Sequence, residues 1–182
     1  MKRLKSNKDW TKSKKIINNT INLYRKNCKE RLIKKLVMNV VVWANTYRYL
    51  SSEGSAENGK FDIRRTPYLK EPLEKFTKDG VNGIVLMLAS QLGKSETLNN
   101  IVGWIIHINQ CPTMIVQPTE TLAEEYSKER ISPMLRDTPV LSEIMGKKNN
   151  TIKYKTFHGG FLSFRGTGAA NKLASKPIGI AL

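Results

Sequence analysis

The chain has 182 residues, 40% of them hydrophobic and 8% aromatic, which excludes a disordered composition and gives room for one domain with an extension rather than two domains. A formal charge of +16 speaks to partners and not to fold, and points to nucleic acid or another acidic surface. Cys28 and Cys111 stand alone, without CxxC spacing or a neighbouring His pair, which argues against a zinc site or a disulfide framework and fits a reducing, cytosolic setting.

Residues 1–35 carry thirteen Lys and Arg against Asp9 and Glu30, so the basicity is a segment and not a uniform coat. It reads either as a solvated face or as an arm that neutralises phosphates by counterion release. The start "MKRLKSNKDWTKSKK" has no apolar core behind it, as a secretory signal requires, and the apolar stretch "LVMNVVVWA" is broken by Asn39 and far too short to span a membrane. The expectation is a soluble intracellular protein with no membrane partner.

Ile17, Ile21, Tyr24 and Cys28 recur at helical spacing, as do Leu32, Leu36, Val40, Trp43, Tyr47 and Leu50, predicting helices over 16–28 and 32–50. Residues 1–50 thus form a basic helical extension. "SSEGSAENGK" is a loop, the two prolines of "TPYLKEP" punctuate the segment after it, Leu73 and Phe76 fit a short helix, and Asp79-Gly80 is a turn. Residues 51–82 read as a loop-rich linker.

From residue 83 the pattern changes to an α/β domain with a mostly parallel sheet flanked by helices. "GIVLMLA" is an apolar run of strand length, as in a parallel strand covered on both faces. Leu98, Ile101, Val102, Ile105 and Ile106 predict a helix after it, "TMIVQP" a second buried strand, and "TETLAEEYSKERI" a helix opening on Thr119. "TIKYKTF" and "FLSFRG", separated by His158-Gly159-Gly160, predict a hairpin whose alternation sets Ile152, Tyr154 and Thr156 on one face. The closing "KPIGIAL" has the look of an interrupted strand.

Between the first strand and helix lies "ASQLGKSET". A full phosphate-binding loop is G-x-x-x-x-G-K-[ST], because backbone amides and a helix N-terminus wrap the phosphates, a Lys reaches the outer ones and a hydroxyl holds Mg2+. Leu88 occupies the first glycine position, so the strict pattern fails by one residue, yet the expected strand before it and helix after it supply the right context. A solvated turn that happens to contain Gly-Lys-Ser is the alternative. On the phosphate reading Lys94 is the catalytic contact to the β and γ phosphates of ATP and Ser95 is the Mg2+ ligand. Gly93 permits the turn, and the amides of Ser90, Gln91, Leu92, Gly93, Lys94 and Ser95 form the cradle. Gln91 and Glu96 either support this site or are surface residues.

The stretches "WANTYRYLSSEGSAENGKFDIRRTPYLKEPLEKF", "VLMLASQLGKSETLNNIVGW", "MIVQPTETLAEEYSKERISPMLRDTPVL" and "GGFLSFRGTGAANKLASKP" together resemble the N-terminal ATPase region of the lambda-type large terminase subunit of tailed phages. The resemblance runs from about Trp43 to the last residue. It implies a RecA-like P-loop NTPase partial domain over 83–182, part of a motor that uses ATP and Mg2+ to drive double-stranded viral DNA into procapsids. It further implies work in the host cytoplasm, with a terminase small subunit and a portal protein as partners, and an oligomer when complete.

The family's deviant Walker A falls on Gln91, Gly93, Lys94 and Ser95, and its adenine-contacting stretch on Pro67 and Tyr68, where Tyr68 is otherwise a packed loop aromatic. Two departures stand out. Ser90 occupies the place where many relatives carry an arginine, leaving Arg130, Arg136 and Arg165 as other sources of charge. The family's Walker B acids come directly after the strand that "PIGIAL" resembles, so the resemblance implies a chain truncated before them, without the nuclease region, and a poor ATPase with exposed sheet edges. A helicase-like ATP-dependent nucleic-acid translocase and a non-catalytic basic DNA-binding fragment are the competing readings.

Overall fold

Asn39 sets the start of the first helix. The computed structural model describes residues 19, 22, 38–53, 58–145, 150–168 and 177–182, so most of the basic segment and the stripe expected over 16–28 lie outside the described residues. Asn39 is extended (φ −71°, ψ 171°) and its side-chain oxygen accepts the Val42 N–H at 2.9 Å, capping α1 (Val40–Tyr47). Arg48 then leaves the helix in an extended conformation, and Tyr49–Leu50 (β1) pairs antiparallel with Gly59–Lys60 (β2). The single helix expected over 32–50 is therefore corrected. An Asn side chain that satisfies a first-turn amide starts α1 at Val40, and pairing with Gly59–Lys60 takes Tyr49 and Leu50 out of it.

Val40, Val41, Trp43 and Ala44 of α1 are buried in the core of the unit Met38–Leu182. Two short 3-10 turns (Ile63–Arg65, Pro67–Leu69) lead into α2 (Lys70–Lys75), which buries Leu73, and Gly80 takes φ +81° at the expected turn. The strand expected at "GIVLMLA" does not form. Residues 81–89 have no regular structure, and Val85 and Met87 are 86% and 92% exposed. An apolar run states a preference for burial but cannot by itself supply a hydrogen-bonding neighbour, and residues 81–89 pair with none of the four strands of the sheet.

Next comes α3 (Lys94–Trp104), whose end widens into a π-turn over Ile105–Asn109 closed by Gln110 N–H to the Ile105 carbonyl. It buries Ile101, Val102, Ile105 and Ile106, as its periodicity predicts. Two indoles stitch it to α1 and to the residue before its cap: Trp43 Nε1–H donates to His107 Nδ1 (3.0 Å), and Trp104 Nε1–H to the Met38 carbonyl (2.6 Å).

The four-stranded sheet has the order β4-β5-β3-β6. β3 (Thr113–Gln117) pairs in parallel with β5 (Gly160–Gly166) on one side and β6 (Ile180–Ala181) on the other, while β4 (Tyr154–Phe157) is antiparallel to β5. Between β3 and β4 run α4 (Glu120–Tyr126, capped by Thr119 Oγ1 on Leu122 N–H at 3.1 Å), a π-turn, α5 (Ser132–Asp137) and α6 (Pro139–Ile144). Consecutive buried residues in β3 (Thr113, Met114, Ile115) and β5 (Leu162, Ser163, Phe164) show both faces covered. The result is a mixed α/β domain with a parallel-containing sheet. Among the described residues no helix is long and apolar enough to cross a membrane.

The hairpin turn is shorter than expected: His158-Gly159 forms it, with Gly159 at φ +83°, and Gly160 already pairs with Phe157. The buried face of β4 carries Lys155 and Phe157, while Ile152 is 40% exposed and Tyr154 stacks on Phe161 at 5.0 Å. Burial holds the Lys155 amine below its ordinary 10.5, with a 3.4 Å contact from Nζ to the Thr151 carbonyl as compensation. Between that depressed value and 10.5 the unfolded chain holds the extra proton, so stability rises with pH across this window. Lys155→Met should raise the unfolding free energy by about 1 kcal/mol and flatten that rise. Urea unfolding at pH 7 and pH 10 checks both, and an unchanged slope in the variant would sink the assignment.

Candidate functional site

The turn that opens α3 faces solvent. Ala89, Ser90, Gln91 and Leu92 are exposed and irregular, and Gly93 is the N-cap residue at φ +77°, a conformation natural to glycine. Gly93 is also crowded, because a Cβ there would lie 2.9 Å from Leu69 Cδ1. Gln91 takes φ +62°, an uncommon position for a residue with a side chain and one that concentrates in functional loops.

Glycine brings no side chain to cap the helix, so the first-turn amides of Lys94, Ser95 and Glu96 have no cap from that residue. Lys94 and Ser95 are exposed, and Lys94 Nζ reaches back over the loop to the Leu88 carbonyl at 3.0 Å. A positive helix end, an ammonium beside it and a hydroxyl one residue on form a donor set suited to an anionic phosphate.

Tyr68 sits on the Pro67–Leu69 turn, 49% exposed. Its neighbour Leu69 backs Gly93, so the fold brings this turn to the loop across more than twenty residues of sequence. Arg136 is tied up by Asp137 (2.7 Å) and Glu53 (2.9 Å), two carboxylates that neutralise it.

Sequence reasoning missed the groups behind the loop. Arg48, 2% exposed, donates from Nη2 to Glu96 Oε2 (3.1 Å) and from Nη1 to the Tyr49 carbonyl. Asn99 Nδ2 donates to Glu96 Oε1 (2.8 Å), and the Tyr126 hydroxyl donates to Asn99 Oδ1 (2.7 Å). Burial lowers the Arg48 pKa and Glu96 opposes that shift, whereas burial first and the Glu96 carboxylate second raise that of the Tyr126 phenol. Nothing in the local sequence signals a pairing between positions so far apart. The acidic residue directly after Gly-Lys-Ser is the one hint that a cation must stand nearby.

Fold and loop together define a mixed α/β domain that presents a Gly-Lys-Ser turn at the start of a core helix. Residues 55–182 match the family described as phage terminase large subunit gpA, ATPase domain, and the chain belongs to that family. Among known proteins it is similar to the terminase large subunit of Enterobacteria phage P21, 26% identical over 147 residues, covering 77% of this chain and 23% of that one. It is also similar to the terminase large subunit of Escherichia phage lambda, 27% identical over 125 residues, covering 66% of this chain and 19% of that one. The matched region thus spans a quarter or less of these relatives. The family separates this domain from the helicase-like alternative.

Proposed function

We propose that the loop Ala89–Ser95 and the start of α3 form the nucleotide site of a RecA-like P-loop domain. On this reading the domain binds Mg-ATP for phage DNA packaging, as part of a terminase large subunit. The observation that carries it is the uncapped, glycine-led N-terminus of α3, open to solvent with Lys94 lying across it. Lys94 would contact the outer phosphates, Ser95 would hold Mg2+, and the amides of residues 90–95 would meet no competing side-chain cap from Gly93. Tyr68, exposed on the turn behind Gly93, is the residue proposed to meet adenine. When bound, the metal would supply charge neutralisation at the phosphates.

The wider role proposed follows from membership of that family: double-stranded viral DNA would be the cargo, a small subunit and a portal the partners, and the host cytoplasm the setting. The basic segment at 1–35 is proposed to favour the DNA.

Titration with a fluorescent N-methylanthraniloyl ATP and Mg2+ tests the site. Lys94→Ala should weaken binding by about 30-fold or more, since it deletes a charge-assisted contact to a multiply charged ligand. Equal affinity in wild type and variant would remove the phosphate assignment.

A further inference from the structure

Glu96 stands at the third residue of α3, three after Gly93. A Glu at that position ordinarily reaches back to the N–H of the residue before the helix and closes its end. Here both carboxylate oxygens are taken by other groups, Oε2 by Arg48 at 3.1 Å and Oε1 by Asn99 at 2.8 Å, with Tyr126 orienting the Asn99 amide. Arg48 comes from the turn between α1 and β1, is almost fully buried, and has its Nη1 fixed on the Tyr49 carbonyl. A guanidinium that is always charged and held by the fold is a fixed latch for a carboxylate.

We propose that Arg48 is a positioning residue for nucleotide binding: it holds Glu96 off the amides that open α3 and cancels its charge beside the phosphate seat. A carboxylate and a phosphate compete for the same positive helix end, so an unlatched Glu96 would both cap the helix itself and repel the ligand. Arg48 touches no ligand in this scheme and acts only through Glu96. The proposal rests on the nucleotide reading of the loop.

The same fluorescent ATP titration, with circular dichroism melts as a folding control, is run on wild type, Lys94→Ala, Arg48→Met, Glu96→Ala and the double variant Arg48→Met/Glu96→Ala. Arg48→Met should weaken binding about 10-fold, and removing Glu96 as well should restore it to within about threefold of wild type. A purely structural role for Arg48 predicts that affinity follows melting temperature across these variants, whereas the latch predicts a loss of affinity in Arg48→Met beyond what its melting temperature accounts for. Wild-type affinity in Arg48→Met, or a double variant as weak as the single one, would overturn the proposal. If Arg48→Met does not fold, Glu96→Ala decides: affinity within about threefold of wild type supports the latch, because a held and neutralised carboxylate neither helps nor hinders the ligand, and a larger change in either direction overturns it. Undiminished binding in Lys94→Ala would instead reject the nucleotide reading itself, whatever the Arg48 variants do.

Discussion

Replacing Gly103 with alanine should lower the melting temperature by roughly 5–10 °C, although helix propensity alone favours alanine by about 1 kcal/mol at a helix interior. The reason is the face that Gly103 presents. A Cβ built there lies 2.1 Å from Trp43 Cη2 and 2.7 Å from Cζ3, well inside contact distance. Trp43 cannot step aside, because it is fully buried and its indole N–H is fixed on His107 at 3.0 Å. Overpacking of this kind costs about 1–3 kcal/mol, and a displaced indole would add the loss of a buried hydrogen bond, about 1 kcal/mol more. Those terms outweigh the propensity gain. Calorimetric melts of Gly103→Ala, Trp43→Phe and the pair check the argument, since the smaller ring should relieve the clash and make the double variant less destabilised than the sum. A variant that melts with wild type would mean α1 and α3 do not meet at this residue.

That contact also shows where sequence reading stops. The helix at 94–109, the strand at 113–117, the cap at Thr119 and the hairpin at 154–166 were legible because each is written in local signals: a 3.6 period, a β-branched run, a capping hydroxyl, a glycine at a positive φ. The opening loop was legible for the same reason, with Gly93, Lys94 and Ser95 adjacent in the chain. Features that depend on partners distant in sequence were not. Residues 83–89 have the composition of a buried strand, yet strand formation needs a ladder neighbour that composition does not name. Lys155 and Phe157 take the buried face of β4 in place of Ile152, Tyr154 and Thr156, because packing against β5 fixes the phase and hydropathy alone does not. The Arg48–Glu96 pair joins two elements whose proximity exists only once α1 has packed on α3.

Gly166→Val should be the other severe substitution, and for a different physical reason. The atoms that a Cβ at Gly166 would meet are backbone: Glu120 N at 2.3 Å, Thr119 C at 2.5 Å and Glu120 Cα at 3.0 Å. A side chain can rotate away, whereas backbone moves only with its element. Thr119 is fixed twice over, by its place two positions after the end of β3 and as the cap whose Oγ1 accepts the Leu122 N–H. Accommodating valine would require either the end of β5 to leave its register with Gln117 or the first turn of α4 to lift off the sheet. Either route should cost about 2–4 kcal/mol, combining overpacking with a lost cap. Hydrogen exchange locates the damage: amides over 119–126 and at the β3–β5 end should lose protection, while α1 and α3 keep theirs. Gly168→Ala is the control, because nothing lies within 4 Å of its added Cβ, and its effect should stay within about 0.5 kcal/mol. Equal stability of the two variants would show that the strand does not approach the helix as closely as these distances require.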